Sequence, residues 1–162
     1  MNLHKQLVLL SAVVLASAMP VLAQVEKVAM PTTGISCGSC AAVSEINLRR
    51  LVAGVDKVTI SMAKEAIVVS YKPGASFHPR DIREVLNPVG VGVLQFQISA
   101  RGRIQEQGGK RFFVAGKDKF VLVAGANAPK IPPGIPVLIE GIVNDRPDPM
   151  ELKIVTFKPL TQ

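Results

Sequence analysis

Four consecutive residues, Cys37-Gly38-Ser39-Cys40, carry the most definite chemistry in the chain. Two thiolates separated by two residues, one of them glycine, can converge on a single metal ion. Thiolates are soft donors and select Cu(I), Zn(II) and other thiophilic ions. At a helix start, free backbone N–H groups and the helix dipole favour the thiolate over the thiol. No histidine or carboxylate stands beside the pair, which argues for a soft ion of low coordination number. The chain holds two Cys and two His, His4 and His78, too few to fill a closed tetrahedral zinc site. Cysteines this close cannot staple a small fold together. In an oxidising compartment the same spacing also suits thiol–disulfide exchange, or a permanent disulfide in a module that binds no metal.

Other donors are weaker. Met30 and Met62 fall at strand ends on the side of the cysteine loop, where a thioether could serve as a third ligand. Methionine is a common gap-filler, so packing is the simpler expectation for both. His78 precedes Pro79 at the opposite end and reads as a surface or capping residue. Met150 reads as structural.

A strand must lead into the pair and a helix lead out. Residues 24–30 alternate as a short strand, and residues 31–34 read as a loop. From Cys40 onward Val43, Leu48, Leu51 and Val52 recur at helical spacing, with Arg49 and Arg50 outward and Gly54 as a stop. Residues 55–62 and 65–71 form a hairpin about Ala63-Lys64. Pro79 and Asp81 open a second helix with an apolar face of Ile82, Val85 and Leu86. Asn87-Pro88 ends it, and residues 91–97 are a strand. The order β-α-β-β-α-β is the split βαβ arrangement of ferredoxin-like folds. Its expected core is Val43, Leu48, Val58, Ile60, Val68, Ile82 and Val85.

The pattern then changes. Strands are expected at 98–104, 111–115, 120–124, 136–143 and 150–157, with turns at Gly108-Gly109 and Lys117-Asp118 and a Pro-rich loop at 127–133. None of this has helical periodicity. Five short antiparallel strands predict a small all-β barrel, OB-like in character. The fold class is therefore α+β: a ferredoxin-like domain over 24–97 and an all-β domain over 98–162, one strand running almost directly into the next. The second half holds 10 Lys/Arg against 6 Asp/Glu, with Phe112, Phe113, Phe120 and Phe157 among them. Such a barrel could stack single-stranded nucleic acid. More simply, the phenylalanines fill its core and the cations keep it soluble. Without Cys or His it offers no metal or catalytic site, and by fold analogy alone it is a partner-binding or targeting module.

The first segment is an address. Lys5 precedes an apolar stretch at 7–18, Pro20 breaks it, and Val21-Leu22-Ala23 follows. This predicts a secretory signal peptide over residues 1–23, cut before Gln24, and a periplasmic or secreted protein. The run is short for a membrane span. Processing leaves 139 of the 162 residues, and loss of Lys5 lowers the formal charge from +7 to +6. Mean hydropathy is +0.33, yet no later apolar run approaches ~20 residues, so no stable span is expected after processing. Export argues against a nucleic-acid partner. With 48% apolar and 19% charged residues, an intrinsically disordered chain is excluded.

Gly34-Ile35-Ser36-Cys37-Gly38-Ser39-Cys40 resembles the Gly-Met-Thr-Cys-x-x-Cys motif of heavy-metal-associated domains, which occur in copper chaperones, metal-transporting P-type ATPases and the periplasmic mercuric-ion-binding protein. The resemblance continues through Gly54-Val55 and the hairpin to Gly90, covering residues 24–97. It implies a ferredoxin-like fold and a non-enzymatic carrier. Cys37 and Cys40 would hold one soft ion, Cu(I) first, with Hg(II) or Zn(II) as alternatives. The ion would pass by ligand exchange to a metal-transporting membrane protein or a metal-receiving periplasmic protein. Ile35 stands where the family has Met, Ser44 where many members have Val, and Val91 where Tyr or Phe is frequent.

Overall fold

The computed structural model of the chain describes residues 22–125 and 128–160. The expected signal peptide lies outside them except for Leu22 and Ala23. Strand β1 (Gln24–Thr33), helix α1 (Gly38–Leu51), strands β2 (Val55–Ser61) and β3 (Ala66–Tyr71) and helix α2 (Pro79–Leu86) follow in the expected order. The strands lie β2-β3-β1, antiparallel, and the helices pack against each other. This is the ferredoxin-like arrangement. Arg49 and Arg50 occupy the last turn of α1, where they complement the helix dipole. Pro79 takes the first position of α2 and Asp81 its first turn.

Three local expectations are corrected. Residues 31–33 continue β1 and are not a loop: the Pro31 carbonyl accepts from Leu94 N–H at 2.9 Å, and Thr32 donates its N–H and hydroxyl to Glu65 O at 2.7 and 2.9 Å. Leu48, Val58 and Ile82 are buried as expected, and Ile60 and Val85 pack at the margin of the core. Val43, however, is 41% exposed, because α1 turns small Ser44 and Leu48 inward and leaves Val43, Ile46 and Leu51 outside. Val68 also faces away. The inward positions of β3 are Ile67, Val69 and Tyr71.

The remaining strands are β4 (Gly92–Val93), β5 (Phe96–Gln107), β6 (Lys110–Ala115), β7 (Asp118–Leu122), β8 (Val137–Asn144) and β9 (Glu151–Pro159). The strand expected over 91–97 is two pieces. Val91 and Val93 face the core, and so do Phe96 and Ile98; that odd spacing cannot be met by one unbroken strand. The chain therefore steps at Leu94 and Gln95. β5 to β9 close on themselves in the order β5-β6-β7-β9-β8-β5. All pairs are antiparallel except β7–β9, which is parallel, correcting the all-antiparallel reading. Phe113 and Phe120 fill the interior with Ile104, Ile139 and Leu152, whereas Phe112 sits outside, half-buried.

β5 belongs to both halves. Its residues 97–101 pair with β1, 96–102 with β8 and 103–107 with β6. Gly116, just after β6, abuts the backbone of Ala23 and Gln24, so β1 and β6 lie end to end along one edge of β5. One transverse row runs Gln24, Arg101, Leu138, Lys158 over four strands. Residues 97 and 98 are neighbours inside this shared strand, and one buried cluster runs through both halves. Phe77 meets Tyr71 and Phe96 edge to face, with centroids 6.5 and 5.5 Å apart. Its N–H donates to Asp118 Oδ2 at 2.9 Å. Asp118 was expected in a turn. The turn is instead Gly116 and Lys117, and Asp118 is the buried first residue of β7.

Candidate metal centre

β1 delivers the chain to Gly34, whose φ of +83° turns it toward the helix layer. A β-carbon there would stand on the Gly90 carbonyl oxygen, so the cysteine loop rests directly on the turn that follows α2. Ile35 is fully buried and anchors the loop from below. Cys37 is extended (φ −121°, ψ 147°) and is the N-cap of α1; its Sγ accepts from Cys40 N–H at 3.0 Å. The Ser39 hydroxyl lies 3.2 Å from the same sulfur. Gly38 and Ser39 are exposed and both cysteines are half-buried, so the sulfurs lie at the surface over the positive end of a helix.

Cys37 and Cys40 are joined by a disulfide, with their Cα atoms 5.2 Å apart. In this oxidised form neither sulfur is a thiolate. Reduction by two electrons would give two thiolates on one turn of chain, with Cys40 N–H and the Ser39 hydroxyl already directed at one of them. Those donors suit a bound anion or a metal thiolate alike. Among the described residues no group of three or more His, Cys, Asp or Glu could hold a metal ion. The donor set therefore fits a soft ion of low coordination number and does not fit a closed tetrahedral site.

The other candidates separate cleanly. Met30 is fully buried and packs, as expected. Met62 is 47% exposed in the β2–β3 turn and fills no gap, contrary to the packing expectation. His78 is exposed at the start of α2, at the far end of the sheet, and makes no side-chain cap. Met150 packs against the barrel core.

Sequence reasoning missed the groups that fasten α2, and with it the turn under the cysteine loop. The Arg83 guanidinium holds both Asp145 oxygens, at 2.8 and 3.0 Å, and donates to Val93 O at 2.8 Å. It also lies 4.8 Å above the Phe96 ring. This hydrogen-bonded guanidinium keeps the Asp145 carboxyl below the ordinary carboxylate range. Asp118 behaves oppositely: burial raises its carboxyl above that range, though the Phe77 N–H and His78 pull against it. Tyr71 is raised as well, chiefly by burial. Asp118 and Tyr71 lie by the Phe77 end, away from the cysteines.

No family model and no curated protein matches the chain. Solved structures similar to it include the CopZ metallochaperone, 19% identical over 42% of this chain and 98% of that one, at a TM-score of 0.38. The N-terminal domain of ZntA in its apo form is 23% identical over 43% and 90%, also at 0.38. The N-terminal soluble domains of Bacillus subtilis CopA are 28% identical over 52% and 54%, at 0.37.

Proposed function

We propose that the reduced chain takes up one soft metal ion on Cys37 and Cys40 and hands it to a partner by ligand exchange, without catalysing a covalent reaction. The observation that supports this most directly is the convergence of both sulfurs on the N-terminus of α1 in a surface loop. Cu(I) is the first choice and Hg(II) the second, because both are satisfied by two sulfurs; Zn(II) would need ligands from elsewhere. A partner thiolate or thioether approaching the open side would bond to the ion as one cysteine sulfur leaves. The helix N-terminus stabilises the departing thiolate. The partner in this reading is a metal-transporting membrane protein or a metal-receiving exported protein, and the site of action is the periplasm or outside the cell. The signal-peptide pattern expected over residues 1–23 supports that reading.

Anaerobic titration of the reduced protein with Cu(I) against a competing chelator tests the proposal. One equivalent should bind, and Cys37→Ser and Cys40→Ser should each abolish tight binding, while His78→Ala should leave it unchanged. Tight binding that survives loss of both cysteines would overturn the assignment.

The disulfide favours a second reading, in which the oxidised pair is permanent and the domain serves assembly. Thiol alkylation of freshly isolated protein separates the two. Complete resistance to alkylation, with failure of mild reductants to open the bond, supports the second. A thiol–disulfide enzyme would instead reduce insulin catalytically.

A further inference from the structure

The wall of the barrel built from β5, β6 and β7 takes no part in the metal chemistry. Alternation sends Gly102, Ile104, Phe113, Ala115 and Phe120 inward. It sends Arg103, Gln105, Gln107, Lys110, Phe112, Val114, Lys119 and Val121 outward. Register sets these in rows: Arg103, Val114 and Lys119 in one, Gln105, Phe112 and Val121 in the next, Gln107 and Lys110 beyond. None of these outward residues is a carboxylate. Glu106 is engaged by Arg111, and Glu151, which borders the wall beside Val121, accepts from Asn144. Three cations thus surround a patch of Phe112, Val114 and Val121.

The ring of Phe112 decides which anionic partner fits. Lys119 Nζ stands 4.2 Å above its centroid and donates to Gln107 Oε1 at 3.3 Å. The face on which a nucleobase would stack is therefore already covered by an ammonium. What remains is a set of separated point charges with apolar side chains between them, on the convex outside of a barrel. Such a surface matches headgroup phosphates spread over a plane, with the apolar centre reaching the headgroup boundary.

We propose that the β5–β6–β7 wall docks on an anionic lipid bilayer. The inference stands apart from the metal reading, although a membrane-surface carrier would lie beside any membrane-embedded acceptor. Co-sedimentation of the protein with phosphatidylcholine vesicles, with and without phosphatidylglycerol, tests it. Binding should require phosphatidylglycerol and fall away as salt rises from about 0.05 M to about 0.5 M. Lys110→Glu with Lys119→Glu should weaken it about tenfold or more, since each cation near an anionic surface contributes roughly a factor of five. Lys57→Glu with Lys72→Glu, an equal charge change away from the wall, should weaken it far less. All four lysines are exposed, so both pairs should fold, the first melting a few degrees lower for loss of the Lys119 contact with Phe112. Should the first pair fail to fold, Arg103→Glu alone carries the comparison. Equal binding to neutral vesicles, equal loss in the control pair, no binding at low salt, or tighter binding of a single-stranded oligonucleotide through the same lysines would each overturn the proposal. Cu(I) titration of the same variants should be unchanged, which keeps this test separate from that of the metal site.

Discussion

At the scale of single residues, two glycines of the cysteine loop make contrasting predictions. Gly34 combines a φ of +83° with a would-be β-carbon on the Gly90 carbonyl oxygen. Gly34→Ala should cost roughly 1–3 kcal/mol in urea unfolding and weaken metal uptake, because the loop must lift off the turn beneath it. Gly38 has open space around it, and Gly38→Ala should be nearly silent in the same measurements. Equal effects of the two would refute this account of the loop. The cysteines were legible from type and spacing, and Gly34 from its place in the resemblance. Met62 was misjudged because a methionine's burial depends on which side of a turn it leaves, and composition does not say. Asp118 was misplaced because Gly-Lys-Asp favours turns; only tertiary structure offered its carboxylate the Phe77 N–H.

Between elements, α2 and the chain leading into it are held to the barrel by two carboxylates of opposite character. Asp145 has a lowered folded pKa, so its contribution is present at neutral pH and is lost as pH falls through that lowered value. Asp145→Asn should destabilise by about 1 kcal/mol at low salt and neutral pH, less at high salt, and not at all in strong acid. Asp118 has a raised folded pKa, so its neutral carboxyl contributes stability that is fully present at acid pH and is lost as the group ionises with pH rising through the folded value. Asp118→Ala should nevertheless cost about 1–3 kcal/mol, because the Phe77 N–H loses its acceptor inside the core. Unfolding free energy against pH for the wild type and both variants checks the two signs. The order of strands and helices up to residue 90 was readable from periodicity. The Arg83–Asp145 pair was not, since 62 residues separate its members and an arginine in an amphipathic helix reads as solvent-facing. The break at Leu94 and Gln95 was hidden too, because a one-residue change of phase leaves the stretch equally apolar.

Over the whole molecule, the two patterns in the sequence are real, and β5 carries both. A chain ending at Gln97 retains only the start of β5 beside β1, forfeiting the ladder through Arg101 and the packing of Ile98 and Ala100. It should unfold at lower urea than a chain ending at Gln107, by about 1 kcal/mol or more of the free energy of this marginally sized unit. Equal midpoints would place the cut correctly at 97. The transverse row through Gln24, Arg101, Leu138 and Lys158 has one more consequence. It brings the beginning of β1 and the end of β9 to the same level of the sheet, three strand spacings apart, or about 14 Å. A bridge of about five or six residues spans that distance. Residues 24–160 should therefore tolerate circular permutation: the start of β1 and the end of β9 fused by such a bridge, new termini opened at Gly108-Gly109, and the cysteine loop left intact.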